Sequence, residues 1–178
     1  IIGPTKKYFE ELAPNLRFDN MKFFSEEAQL KDEDDVEFEP SDECLSKVLD
    51  EANDDGSVHN QSSLIFLWEP KQGEKFLFMG DAGYAAFQHI KPIHKKMIKG
   101  VTWFKVPHHG SMHNLNTEMI NHIAPHTAYI STESRGHYLS QCTVNALKNA
   151  GVNVYSTHHK GHNILHGHRE GYITEEKL

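Results

Sequence analysis

Two histidines stand side by side in KVPHHGSMHN, residues 105–114, where the apolar run VTWF gives way to a Gly-Ser turn. A carboxylate, Asp81, follows the apolar run FLFM and Gly80, and another histidine, His137, lies in RGHYLS. A carboxylate at the end of an apolar strand is expensive to desolvate unless a cation or hydrogen bonds compensate. Neutral imidazole and carboxylate are ligands for zinc, manganese or iron, and one carboxylate can bridge two metals about 3.5–4 Å apart. Gly-Asp is also a common turn pair, and a His-His pair in a chain with 14 histidines can be a solvated turn. What favours the ligand reading is position. Asp81, the His108–His109 pair and His137 fall at successive predicted strand ends, where α/β proteins gather their ligand groups.

The elements that would position them are legible in the alternation of patterns. IIGPT reads as the end of a buried strand, which implies a domain that begins before Ile1, and PTKKYFEELAPNL predicts a short helix. SSLIFLWE and KFLFMGDA, joined by PKQGE, predict a hairpin. Helix GYAAFQHIKPIHKKMI, interrupted by Pro92, then leads to strand VTWFKV, and helix NTEMINHIA, capped by Asn116 or Thr117, to strand TAYIST. Helix SQCTVNALKNAG closes on Gly151 before strand VNVYST, and HKGHNILHGHREGYIT suggests a last hairpin. Alternation of this kind means a layered α/β (α+β) fold. Helices are expected on one face of a mixed sheet. The other face, built from residues such as Leu64, Phe66, Phe76 and Phe78 or their alternating neighbours, is expected to stay apolar for a partner sheet.

Composition narrows the classes. At 178 residues one domain is the default, and 25 Asp and Glu against 18 Lys and Arg provide no global basic field for nucleic acid or anionic membrane. Segment 25–57 is acidic and reads as a solvated loop or insertion, with one short helix in ECLSKVLDEA. Cys44 and Cys142 read as two separate thiols, which suits the cytoplasm. No run approaches the roughly 18 apolar residues of a membrane helix, and the start lacks the order of a signal peptide.

The run HNQSSLIFLWEPKQGEKFLFMGDAG, then KVPHHGS and then GHYLS, resembles the second half of a metallo-β-lactamase-fold hydrolase. The similarity is to the branch that includes the hydrolase domain of the competence protein ComEC, where the order is an Asn, a Ser-Leu-Val strand, TGDA, HHGS and GHP. It covers about residues 60–165. The resemblance implies that Asp81 bridges two metals, that His109 completes the second metal site, and that His108 and Ser111 stand behind the ligands or face the substrate. A ligand histidine that many members carry before the hairpin maps to His59, four residues ahead of Ser63, while Asn60 fits the Asn of the ComEC-like branch. His137 matches the His of GHP, which contacts the substrate or its leaving group, with Tyr138 in place of the Pro.

The family's main metal motif, His-x-(His or Asp)-x-Asp-His, belongs to the first half of the fold and does not occur in these residues. The chain is therefore expected to be the C-terminal half of an αββα sandwich, with the N-terminal half of the same domain as its partner. The activity implied is metal-dependent hydrolysis of a phosphodiester or other ester, on a small molecule, nucleotide or nucleic acid. Two divalent ions, zinc first and manganese second, would acidify the attacking water. The competing reading is a non-catalytic scaffold that has lost, or never had, a complete metal site. His89, His94, His113, His122 and His126 read as surface groups, and the histidines from His158 to His168 as chance clustering or adventitious metal binding rather than catalysis.

Overall fold

In a computed structural model of the chain, residues 1–16, 46–132 and 139–157 are described. The proposed last hairpin and most of the acidic segment fall outside them.

The first residues meet the edge of the sheet through a single isolated bridge. Gly3 bridges Ile65 in antiparallel sense, Ile2 is buried, and Thr5 then caps helix α1 (Lys6–Leu12) by accepting the Tyr8 amide. After α2 (Ser46–Glu51) and the short α3 (Val58–Gln61) comes the predicted hairpin, β1 (Phe66–Trp68) and β2 (Phe76–Phe78). From there strand and helix alternate as α4 (Tyr84–His94), β3 (Trp103–Lys105), α5 (Thr117–Ile123), β4 (Thr127–Ile130), α6 (Gln141–Asn149) and β5 (Asn153–Ser156). The sheet order is β1-β2-β3-β4-β5, with β1 antiparallel and the rest parallel. The fold is thus a mixed five-stranded α/β layer, as the alternation implied.

Because side chains alternate along a strand, each face of this sheet has its own composition. Leu77, Phe104, Ala128 and Val154 are register partners across four parallel strands and all are fully buried. They share one core with Phe87 and Ile90 of α4, Met119, Ile120 and Ile123 of α5, and Val144 and Leu147 of α6. The opposite face is an aromatic ribbon. Phe66 stacks on Phe78 at 4.4 Å, Phe78 lies 4.9 Å from Trp103, Trp103 5.0 Å from Tyr129, and Tyr129 5.2 Å from Tyr155. Phe66, Phe76 and Phe78 belong to this face, and at its margin Leu64 and Trp68 are each 54% exposed.

The described end of segment 25–57 holds the short helix expected in ECLSKVLDEA, α2, and makes definite contacts with the rest of the fold. Leu49 is 1% exposed and joins the core. Asp50 accepts the Thr117 amide at 2.8 Å at the start of α5, and Asp54 accepts the Tyr84 and Ala85 amides at 3.2 and 3.1 Å at the start of α4, whose N-cap is Gly83. These carboxylates sit where helix N-termini leave unpaired N–H groups and a positive dipole end.

The cysteines differ from the expectation. Cys142, buried in α6, is disulfide-bonded rather than a separate thiol. The chain's other cysteine, Cys44, is outside the described residues.

Two histidines read as surface groups also pack. His89 stacks on Tyr8 at 3.9 Å, and His122 meets the edge of Phe87 at 5.7 Å. Among the described residues, no helix is long and apolar enough to cross a membrane.

Helices α4 and α5 are also joined at the surface by Glu118, which accepts from Lys91, the Tyr84 hydroxyl and Gln88. The hydrogen bonds from Lys91 and Tyr84 hold the Glu118 carboxyl down at about 2. A depressed carboxylate pKa adds stability above the ordinary value of 4.5 that is lost as pH falls toward the folded value. The melting temperature of the wild type should therefore exceed that of Glu118→Gln at neutral pH, and the gap should close between pH 4.5 and about 2. A gap independent of pH would show that the cluster contributes nothing through its charge.

Candidate functional site

The carboxyl ends of β2, β3 and β4 lie side by side, and three loops leave them. After β2 the chain turns through Gly80 at φ +58° into Asp81. An added Cβ at Gly80 would come within 2.9 Å of Ser63 Cβ, so a close backbone approach as well as the turn requires glycine. The Ser63 hydroxyl accepts the Asp81 amide at 3.2 Å.

After β3, Pro107 leads into a single 3-10 turn, His108–Gly110. His108 and His109 have φ of 42° and 54°, a left-handed conformation that costs L-residues roughly 1–3 kcal/mol each and concentrates at functional sites. Gly110 continues it at φ +90°, where an added Cβ would meet Ile130 Cγ2 at 3.0 Å and Leu139 Cδ1 at 3.1 Å.

The strained turn is tied to both neighbouring strand ends. The His108 amide donates to the Gly80 carbonyl at 3.1 Å, and His109 Nδ1 lies 2.5 Å from the Ser131 carbonyl just after β4. The Ser140 amide, at the start of α6, donates to the Gly110 carbonyl at 3.2 Å. Since a carbonyl only accepts, His109 carries its proton on Nδ1.

Asp55 forms the polar centre beside this turn. Its Oδ2 accepts from Asn60 Nδ2 and Asn114 Nδ2, each at 2.8 Å, and lies 3.4 Å from His108 Nδ1; its Oδ1 accepts the Ser57 amide at 2.8 Å. Burial works to raise the Asp55 pKa, but the hydrogen bonds from His108, Asn114, Asn60 and Ser57 outweigh it and hold the carboxyl below its ordinary range. For His108 burial works to lower the pKa, while the hydrogen bonds to Asp55 and Asn114 and the charges of Asp81 and Asp55 raise it on balance. Lys105, at the end of β3, completes the charged surroundings. Burial lowers its pKa, and the charge of Asp81 offsets part of that.

Asp81 and His109, then, stand at the ends of adjacent parallel strands. His108 is held by Asp55 and Asn114. Ser111 is buried, and its hydroxyl accepts the His113 amide at 3.2 Å, so it shapes the loop. On the choice between His59 and Asn60, it is the Asn60 side chain that joins Asp55, while the His59 carbonyl accepts the Ser62 hydroxyl. His137 and Tyr138 lie outside the described residues. The sequence reading missed Asp55, Asn114 and Lys105. Asp55-Gly56-Ser57 did carry a local signal, because an Asp accepting the amide two residues on is an Asx turn.

Carboxylate and imidazole are the right donors for a divalent cation. Their number falls short of a full site: among the described residues, no three His, Cys, Asp or Glu side chains come together as a metal-holding group. Asp81 and His109 can supply part of a coordination sphere, since zinc normally takes about four ligands. Comparisons with family models, with curated proteins and with solved structures find no match for this chain.

Proposed function

We propose that the chain supplies one half of a metal-dependent phosphodiesterase site of metallo-β-lactamase type, with Asp81 and His109 as metal ligands. The observation that carries this reading is the joining of three adjacent strand ends through one strained turn, His108 to Gly80 and His109 to Ser131. A turn stored in an unfavourable conformation and braced from both sides needs a purpose, and the residues it presents are imidazoles beside a carboxylate.

Divalent cations, zinc or manganese, would when bound acidify water and polarise a phosphoryl oxygen. The chain's own residues do the rest. Asp81 and His109 would hold the cations. His108 faces the phosphodiester, and His137 contacts the substrate or its leaving group. The ligands still missing, and a second β-layer for the aromatic ribbon, come on this reading from an N-terminal half of the same domain. The substrate is a small-molecule, nucleotide or nucleic-acid phosphodiester; the formal charge of -7 disfavours long duplexes.

The test is an assay of the protein as its cell makes it, with a chromogenic phosphodiester, zinc or manganese, and a chelator. Hydrolysis that needs the metal supports the reading. His137→Ala should keep the metal and lose turnover, because a substrate contact acts on the transition state rather than on the ion. Metal loss in His137→Ala equal to that in Asp81→Ala would show that His137 is a ligand. No hydrolysis under any metal would favour the scaffold.

For location, the cytoplasm is the compartment that separate thiols would favour, and the Cys142 disulfide pulls toward an oxidising one. Mass analysis of thiol-blocked protein from the native cell decides between them.

A further inference from the structure

We propose that Asp55 and Asn114 are positioning residues: they fix the His108 ring with its proton on Nδ1, so that Nε2 is the nitrogen presented to the reacting phosphodiester. The presentation to substrate rests on the functional reading above, whereas the fixing of the ring does not.

The direction of each hydrogen bond around Asn114 determines which ring nitrogen of His108 is protonated. Asn114 is fully buried, and its Nδ2 has two partners, Asp55 Oδ2 at 2.8 Å and the Asp81 carbonyl at 2.9 Å. Both partners can only accept, so Nδ2 must be the atom facing them and Oδ1 must face the other way. Oδ1 lies 2.9 Å from His108 Nδ1. The second group near that nitrogen, Asp55 Oδ2 at 3.4 Å, is also an acceptor. A nitrogen between two acceptors carries the proton, and the lone pair of the neutral ring is then on Nε2.

The holders are themselves held. Asp55 is anchored at its carboxylate by the Ser57 amide and Asn60, at its carbonyl by Gln61 Nε2 at 2.5 Å, and at its amide by the His113 carbonyl at 2.9 Å. Gln61 in turn accepts the Ala86 amide at 3.0 Å, which ties this corner to α4. The Asn114 amide therefore sets two things at once. It orients His108, and through the Asp81 carbonyl it fixes the loop that carries the proposed bridging carboxylate. Groups that orient a functional imidazole through its other nitrogen typically matter about 10–100-fold to affinity or activity.

The ring can be read directly in the ¹⁵N-labelled chain, without substrate or metal, from long-range proton–nitrogen correlations of the histidine side chains. His108→Gln identifies the His108 signals. At a pH about two units above the ordinary imidazole value, His108 is expected in the Nδ1–H form, and Asn114→Ala and Asp55→Asn should each move it toward Nε2–H, while Glu118→Gln should not. Amide spectra establish that each variant is folded, and Asn114→Ser serves if Asn114→Ala is not. An Nε2–H ring in the wild type, or an Nδ1–H ring unmoved in both folded variants, overturns the proposal. In the metal-loaded complete protein, at saturating metal, Asn114→Ala should lower kcat about 10–100-fold. An unchanged kcat alongside a shifted tautomer overturns the claim that Nε2 serves the substrate. A wild type without phosphodiesterase activity defeats the functional reading, and the ring signals still decide the positioning.

Discussion

Asp81→Ala is expected to abolish phosphodiester hydrolysis, with a fall of more than about 100-fold. That bound follows because losing a group that merely orients a ligand costs roughly 10–100-fold, and Asp81 is proposed as a ligand itself. The variant should still fold. The contacts Asp81 makes through its backbone, the amide to Ser63 and the carbonyl to Asn114, survive truncation of the side chain. The expected signature is thus an unchanged melting profile, weakened divalent-metal affinity and hydrolysis at background. Activity within tenfold of wild type would remove Asp81 from the metal site and leave Gly80-Asp81 as a turn.

Phe104→Ala is expected to lower the stability of the fold by about 3–5 kcal/mol, the usual cost of emptying a buried aromatic site. Phe104 is fully buried in β3, the middle strand, with Leu77 and Ala128 as its register partners. Its neighbour Trp103, on the aromatic face, is only part-buried and should cost less on truncation, because less surface leaves water there. Urea denaturation of the two variants makes the comparison. A loss from Trp103→Ala equal to or larger than that from Phe104→Ala would mean that the aromatic ribbon, not the helix-covered face, is the main core.

Much of this architecture could be read from the order of residues. The parallel strands are short and apolar, the helices between them carry recognisable caps such as Asn116, and the alternation leaves few topologies. Asp81 and the His108–His109 pair were visible because each follows a strand directly. Asp55 was hidden for the opposite reason. It lies in a segment whose average composition reads as solvated, and average charge does not say where each carboxylate goes. There Asp50 and Asp54 reach helix N-termini and Asp55 an imidazole, pairings made only in three dimensions. Asn114 was overlooked because an amide gives no sign in sequence of which groups it bridges. His89 and His122 are part-exposed, and the ring contacts they also make with Tyr8 and Phe87 give no sign in sequence. The Cys142 disulfide was missed because cysteine spacing alone says little about which thiols meet.

The measurement that tests the central claim most directly is paramagnetic broadening by Mn²⁺ in the ¹⁵N-labelled chain, which reports even weak binding to a partial site. One cation site at the joined strand ends predicts that the amide signals of Gly80, Asp81 and Ala82 and of His108, His109 and Gly110 fade together at the lowest metal concentrations. Trp68 and Ile93 should persist, and Asp81→Ala should abolish the pattern. Broadening that begins among the histidines from His158 to His168 and leaves both loops untouched would contradict the account.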